Sequence, residues 1–196
     1  MTPVGHAGTD LHTVWLGLGS NVGVREDQLA AAVRALRTVL HVDALSPVYE
    51  TTPVGYADQP DFLNMVVRGT SVLEPAGLLG AVKDLERELG REATFRMGPR
   101  TIDIDILLYD DVVLDVPGLR VPHPGLTSRA FVLAPLLELD PGLGDPVSGR
   151  PLAEFLQRTG TAGLIRVGDA GQVLPDSVNE RTGMDGPHSQ REGNSP

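Results

Sequence analysis

Apolar and polar positions recur along this chain with a period near two in some stretches and near four in others, and the switches between them mark its elements. Val14, Leu16 and Leu18 fall at every second position, which predicts a first strand that breaks at Gly19-Ser20-Asn21-Val22-Gly23. From residue 25 to 40, Leu29, Val33, Leu36 and Leu40 are spaced by four, three and four, predicting a helix with one buried stripe. Its acids Glu26 and Asp27 sit near the positive N-terminal end, where they are favoured. Residues 42–50 and 62–71 read as a second and a third strand. The second predicted helix covers 74–89, with Pro75 in its first turn, Leu78, Val82, Leu85 and Leu89 on its buried side, and Gly90 at its end.

Residues 91–98 carry charge without a period between Gly90 and Gly98, so a mobile loop is expected there. A strand from Thr101 to Tyr109 follows, then an Asp110-Asp111 turn and a short strand 112–114 that would close an edge hairpin. Ser128 is the expected cap of a helix running through Val132, Leu136 and Leu139 to Asp140, and 152–159 is a last short helix. The leading order of strand, helix, strand, strand, helix, strand is that of a ferredoxin-like α+β sandwich. Its helices would pack on one face of an antiparallel sheet, with further elements added at the C-terminus. Residues 1–12 read as a flexible arm and 13–165 as one domain. The tail over 166–196 holds five Gly, three Pro and few apolar residues, and disorder is expected of it.

Composition narrows the chemistry. A chain of 196 residues that is 41% hydrophobic can bury one core and is short for two. Its net charge of −10 argues against a nucleic-acid surface, and any anionic ligand must be met by local positive charge. The absence of cysteine excludes disulfides, thiolate metal sites and a cysteine nucleophile. No apolar run approaches the ~20 residues of a membrane helix and no export signal is visible, so no membrane association and a cytoplasmic location are expected.

The densest chemistry lies in Arg96-Met-Gly-Pro-Arg-Thr-Ile-Asp-Ile-Asp-Ile106. On a strand Ile102, Ile104 and Ile106 face one way while Asp103 and Asp105 face the other, roughly 6.5–7 Å apart. Such a pair also fits the wet side of a half-exposed strand. Yet Asp is depleted in strands, and Arg91, Arg96 and Arg100 lie just upstream. Carboxylates for a hard cation beside guanidiniums for phosphate are the parts of a phosphoryl-transfer site. The loop 51–61, shaped by two prolines and a glycine, is a candidate ligand wall.

Separated blocks in order carry a resemblance over roughly residues 14–156. They are Gly17-Leu-Gly-Ser-Asn21, Thr52-Pro53, Asp58-Gln-Pro-Asp-Phe-Leu-Asn64, Gly98-Pro-Arg-Thr-Ile-Asp-Ile-Asp105, and Val121-Pro-His123 with Arg129 and Phe131. With these the chain resembles the 6-hydroxymethyl-7,8-dihydropterin pyrophosphokinases of folate biosynthesis. The resemblance implies transfer of pyrophosphate from ATP to the pterin hydroxyl, with release of AMP and two Mg²⁺ ions held by Asp103 and Asp105. It implies catalytic roles for Arg91, Arg96, Arg100 and both aspartates, and ATP contacts from Arg91, Arg100, Ile106, His123 and Arg129. Pterin contacts are implied for Thr51, Val54, Gly55, Phe62, Asn64 and Phe131. Its partners would be these small molecules, and the expected state is a monomer. The chain departs from the family at Met97, where many members carry Trp, at Phe62, a common Tyr, at Pro124, where an aromatic can occur, and in having fewer loop arginines. The residues alone leave room for a metal-dependent nucleotidyl transferase or cyclase, which would release pyrophosphate. They also leave room for a non-catalytic ligand-binding domain, whereas an RNA-binding module is disfavoured by charge.

Overall fold

The structure, a computed structural model, describes residues 10–53, 55–92 and 98–175. Its elements are β1 (His12–Ser20), α1 (Arg25–Leu36), β2 (His41–Leu45), β3 (Val48–Thr51), β4 (Phe62–Ser71), α2 (Pro75–Glu88) and β5 (Asp103–Tyr109). After these come β6 (Leu114–Val116), β7 (Leu119–Val121), α3 (Ala130–Leu139), α4 (Leu152–Thr159), β8 (Leu164–Gly168) and α5 (Ala170–Val173). The main sheet runs β5-β1-β4-β3-β8 with β2 also on β4, and its pairings are antiparallel. This is the α+β, ferredoxin-like arrangement that the order of elements predicts.

Two cores lie on the two faces of the sheet. Val14, Leu16, Leu18, Ile104 and Ile106 meet α1 and α2 through Leu29, Val33, Leu78 and Val82. Trp15, Val66, Leu107 and Leu108 meet α3 and α4 through Leu133, Leu136 and Leu152. The helices therefore do not all pack on one face, as the leading elements alone imply: α3 is apolar on nearly every side because it lies between the sheet and α4. A bulge in β5 makes this second core possible. Trp15 pairs with Leu108 and Leu16 with Ile106, so Leu107 has no partner on β1, and Leu107 and Leu108 both reach the α3 side.

Several boundaries differ from expectation for identifiable reasons. The strand expected over 42–50 is two strands, because Pro47 has no N–H for a ladder; the Ser46 hydroxyl instead accepts the Val66 N–H at 2.8 Å. β1 continues through Ser20 rather than breaking at Gly19, since Gly19 is paired on both sides, with Asn64 and with Asp103. The first helix ends at Leu36 and tightens into a turn, with Leu40 still buried. Arg129, not Ser128, precedes α3, and no side chain caps it. The small hairpin joins β6 to β7 rather than 112–114 to β5.

Regular elements continue past the boundary placed at 165, through β8 and α5. β8 takes up the open edge of β3, Arg166 pairs with Glu138 and Asp169, and Asp169 with Gln172 forms a capping box on α5. The residues read as too polar to fold are held by backbone pairing, which needs few apolar side chains. His12, assigned to the arm, opens β1; residues 1–9 and 176–196 lie outside the described residues. Among the described residues no helix is long and apolar enough to cross a membrane.

Two glycines give opposite expectations. At Gly69, where β4 lies between β1 and β2, an added Cβ would fall 2.4 Å from Leu40 Cδ1 and 2.5 Å from the His41 carbonyl oxygen. On the exposed side of α2, a Cβ at Gly80 meets nothing within 4 Å. Gly69→Ala should destabilise the protein by about 1–3 kcal/mol, and Gly80→Ala should stabilise it by about 0.5–1 kcal/mol. Denaturant melts of the two variants check both signs.

Candidate active site

The site begins with an absence of side chains. On the face of β1 away from α1 and α2, the residues after Trp15 are Gly17 and Gly19, and both line a cleft with about 160 Å³ of free volume. Glycine suits the close approach here: a Cβ at Gly19 would fall 3.1 Å from Asn64 Oδ1 and one at Gly17 3.2 Å from Leu107 Cδ2, so either side chain would have to give way by a few tenths of an ångström. Register sets the flanks of this floor. Gly19 lies between Asn64 and Asp103, and Gly17 between Val66 and Asp105. Thr51, Phe62, Phe131 and Arg129 complete the walls together with Arg100.

The cleft has an aromatic and amide end and a charged end. Phe62 pairs in register with Thr51, and the Asn64 amide donates to Thr51 Oγ1 at 2.8 Å, which fixes its orientation. Phe131 opens α3 with the Arg129 guanidinium 5.8 Å from its ring centre. At the other end Asp103 is held by Arg91 and Arg100. Arg91 Nη1 stands 2.7 Å from Asp103 Oδ1 without aiming an N–H at it, so this buried oxygen accepts no hydrogen bond. An orphaned buried carboxylate oxygen beside a second, half-exposed carboxylate is a donor set that fits a hard cation. Among the described residues no third acid or histidine joins the pair in a metal-sized cluster, so other ligands would have to come from water or substrate oxygens.

Asp105 connects this cleft to a second cavity of about 430 Å³, lined also by Ile106, His123, Lys83 and Arg120. Burial, reinforced by the charge of Asp103, pushes the Asp105 carboxyl above the usual carboxylate range. Burial pushes His123 below its ordinary value, against the opposing pull of Asp105. The Gly125 N–H donates to His123 Nδ1 at 3.0 Å, so the ring proton sits on Nε2, which faces Asp105 Oδ2 at 3.8 Å.

The residues expected from sequence divide between the two cavities. Thr51, Phe62, Asn64, Arg100, Asp103, Arg129 and Phe131 line the first, Ile106 and His123 the second, and Asp105 both. Arg91 stands behind the first cleft, bridging Asp103 to Glu86. Gly55 is exposed and lines neither cavity, while Val54 and Arg96 lie outside the described residues, as does most of the loop expected to be mobile. Sequence reasoning missed Glu86, which is 1% exposed and accepts from Lys83, Arg91 and the Ile104 N–H at 2.7 Å. Its signal was an acid four residues after Val82, on the buried stripe of a helix. Lys83, Gln59 and Arg120 carried no such signal.

Known proteins share this chain's sequence and fold. The family described as 7,8-dihydro-6-hydroxymethylpterin-pyrophosphokinase (HPPK) matches residues 15–141. The 2-amino-4-hydroxy-6-hydroxymethyldihydropteridine pyrophosphokinase of Aquifex aeolicus is 46% identical over 143 residues, covering 73% of this chain and 89% of that one. The enzyme of the same name from Pseudomonas aeruginosa is 42% identical over 159 residues, covering 80% and 98%. In fold the chain is similar to wild-type Plasmodium falciparum HPPK-DHPS, with a TM-score of 0.60 at 16% identity over 76% of this chain. It spans 45% of that longer protein. By the family match and the identity to relatives covered almost end to end, the chain belongs to the 7,8-dihydro-6-hydroxymethylpterin-pyrophosphokinase family.

Proposed function

We propose that this chain transfers the terminal pyrophosphoryl group of ATP to the primary hydroxyl of 6-hydroxymethyl-7,8-dihydropterin in folate biosynthesis, giving AMP and the pterin diphosphate. The observation that carries the reading is the position of Asp105 on the wall of both cavities, with Asp103 beside it. A transfer between two substrates needs a seat for each and the charged groups between them. The first cleft suits a flat heterocycle with polar edges: Phe62 and Phe131 offer faces, and Asn64 and Thr51 offer hydrogen bonds. The second suits the nucleotide. Ile104 uses its N–H and C=O toward Glu86 and Lys83, away from β1, so by the alternation of an antiparallel ladder Ile106 also turns its backbone groups outward, where a base edge can read them.

In the reaction the pterin hydroxyl attacks the β-phosphorus, the bond to the α-phosphate oxygen breaks, and AMP leaves with that oxygen. Asp103 and Asp105 would hold Mg²⁺, which supplies charge neutralisation on the triphosphate when bound. Arg100 stands between the cleft and Asp103, where its guanidinium can pass from the carboxylate to a phosphate oxygen. Arg91, braced by buried Glu86, keeps positive charge beside Asp103. His123 presents Nε2–H toward the same region and Arg129 reaches it from the start of α3. No general base is assigned: in a loose transition state a primary hydroxyl can release its proton late, to water or a phosphate oxygen.

Incubation with ATP, Mg²⁺ and reduced hydroxymethylpterin should give AMP as the nucleotide product. Free pyrophosphate would mark a nucleotidyl transferase and ADP a simple kinase. Asp103→Asn and Asp105→Asn should each lower kcat/KM by about a hundredfold or more, ~2.7 kcal/mol of transition-state stabilisation, with melting temperatures near wild type. Wild-type rates in either variant would end the metal assignment. Phe131→Ala should weaken pterin binding by about 1–3 kcal/mol and leave ATP binding nearly unchanged, as separate titrations of the two ligands would measure. Equal losses for both ligands would return Phe131 to the core.

A further inference from the structure

One buried amide joins the two chain segments that close the pterin cleft. Asn21, 2% exposed, follows β1 and does not itself line the cleft. Its Nδ2 donates to Gln59 Oε1 and to the Pro60 carbonyl, both at 3.0 Å, and its Oδ1 accepts the Arg100 N–H at 2.8 Å. Its own backbone N–H donates to the Arg100 carbonyl at 3.1 Å. The orientation of the amide is dictated by its partners, because a backbone N–H can only donate and a carbonyl can only accept. Both amide hydrogens and the amide oxygen are therefore used.

The partners belong to opposite walls. Thr52 and Gln59 line the cleft from the loop that leads into Phe62, whereas Gly98 and Arg100 line it from the segment that leads into Asp103. The loop also has a second tether at its end, where Arg25 donates to the Asp61 carbonyl at 2.8 Å. Asn21 differs from that tether in reaching both walls at once.

We propose that Asn21 is a positioning residue that sets the pterin wall and the Arg100 segment relative to each other, so that the bound hydroxyl meets the phosphate between the carboxylates and the guanidinium. The inference rests on the functional reading above. A misplacement of about 1 Å in such an arrangement can cost a hundredfold in rate, so a bond remote from the chemistry can act on kcat. Asn21 also satisfies buried backbone groups, and a role confined to that would lower stability without altering the kinetics of the folded fraction.

Asn21→Asp separates the two halves of the clasp. The carboxylate keeps an acceptor for the Arg100 N–H but has no amide hydrogens for Gln59 and Pro60, and it faces the Pro60 oxygen with like polarity. This variant should raise the KM for the pterin about tenfold, with the Kd of a non-hydrolysable ATP analogue within about twofold of wild type. Asn21→Ala releases both walls and should lower kcat at saturation at least tenfold as well. Rates are taken per folded molecule, well below each variant's melting temperature. If Asn21→Ala does not fold, Asn21→Ser takes its place, since its short hydroxyl spans neither gap. Unchanged pterin KM in Asn21→Asp, or wild-type kcat in the released variant, would overturn the proposal and leave Asn21 as a stabilising contact only. Failure of the wild-type protein to form AMP would overturn the functional reading and this inference with it. That result is distinguishable, because it precedes any comparison of variants.

Discussion

The second half of β1 carries side chains on one face only, and the rest of the molecule follows from that. Leu16 and Leu18 are buried to within 2% and anchor the core beneath α1 and α2, while Gly17 and Gly19 leave the opposite face bare. A strand in the middle of a sheet would ordinarily use both faces for packing. Here α3 covers only the part beyond Trp15, where Val66, Leu107 and Leu108 fill the second core, and the uncovered part becomes the floor of the cleft. Because the neighbouring strands are in register, the bare floor has Asn64 on one side and the aspartates on the other. Packing and binding thus share one strand without competing for the same positions.

The charges near the floor are arranged as a chain rather than as isolated pairs. A buried carboxylate such as Glu86 costs several kcal/mol unless its oxygens are met, and here Lys83, Arg91 and the Ile104 N–H meet them. This fixes α2 to the start of β5. It also places Arg91 where its guanidinium touches both Glu86 and Asp103, while Arg100 holds Asp103 from the other side. Two cations meet Asp103, whereas at Asp105 burial and the neighbouring charge act together to push the carboxyl above the usual carboxylate range. A cation bound between them, as proposed above, would reverse that preference.

Much of this was legible because it is written in periods. Alternation through 102–106 gave the face of each aspartate, and the stripe at 78, 82, 85 and 89 gave the second helix almost to its ends. What escaped depends on partners distant in sequence. Nothing local shows that Leu107 lacks a partner on β1, and so nothing local says that the alternation slips after Ile106 and sends Leu108 to the α3 side. β8 was lost for a related reason. Its Ile165 and Val167 are exposed, so the strand shows no buried face and owes its form to the backbone edge of β3. The role of Asn21 was hidden in the same way: Gly-Ser-Asn reads as a turn, and its amide acquires meaning only when Gln59, Pro60 and Arg100 arrive around it.

The reading proposed above asks a protein with a net charge of −10 to hold a triphosphate, which calls for positive charge close at hand. Arg91, Arg100, Arg129, Lys83 and His123 stand around the aspartate pair, several of them partly buried, where screening by salt is weak. The repulsion of surface acids beyond about 8–10 Å is largely screened at physiological salt. A compact nucleotide whose charge is lowered by a divalent ion therefore feels mainly the near cations. An extended polyanion would instead need a basic stripe to displace its counterions, which a net charge of −10 argues against. The same balance that would admit one small anion with its proposed metal disfavours an extended one, through nothing more than where the charges sit.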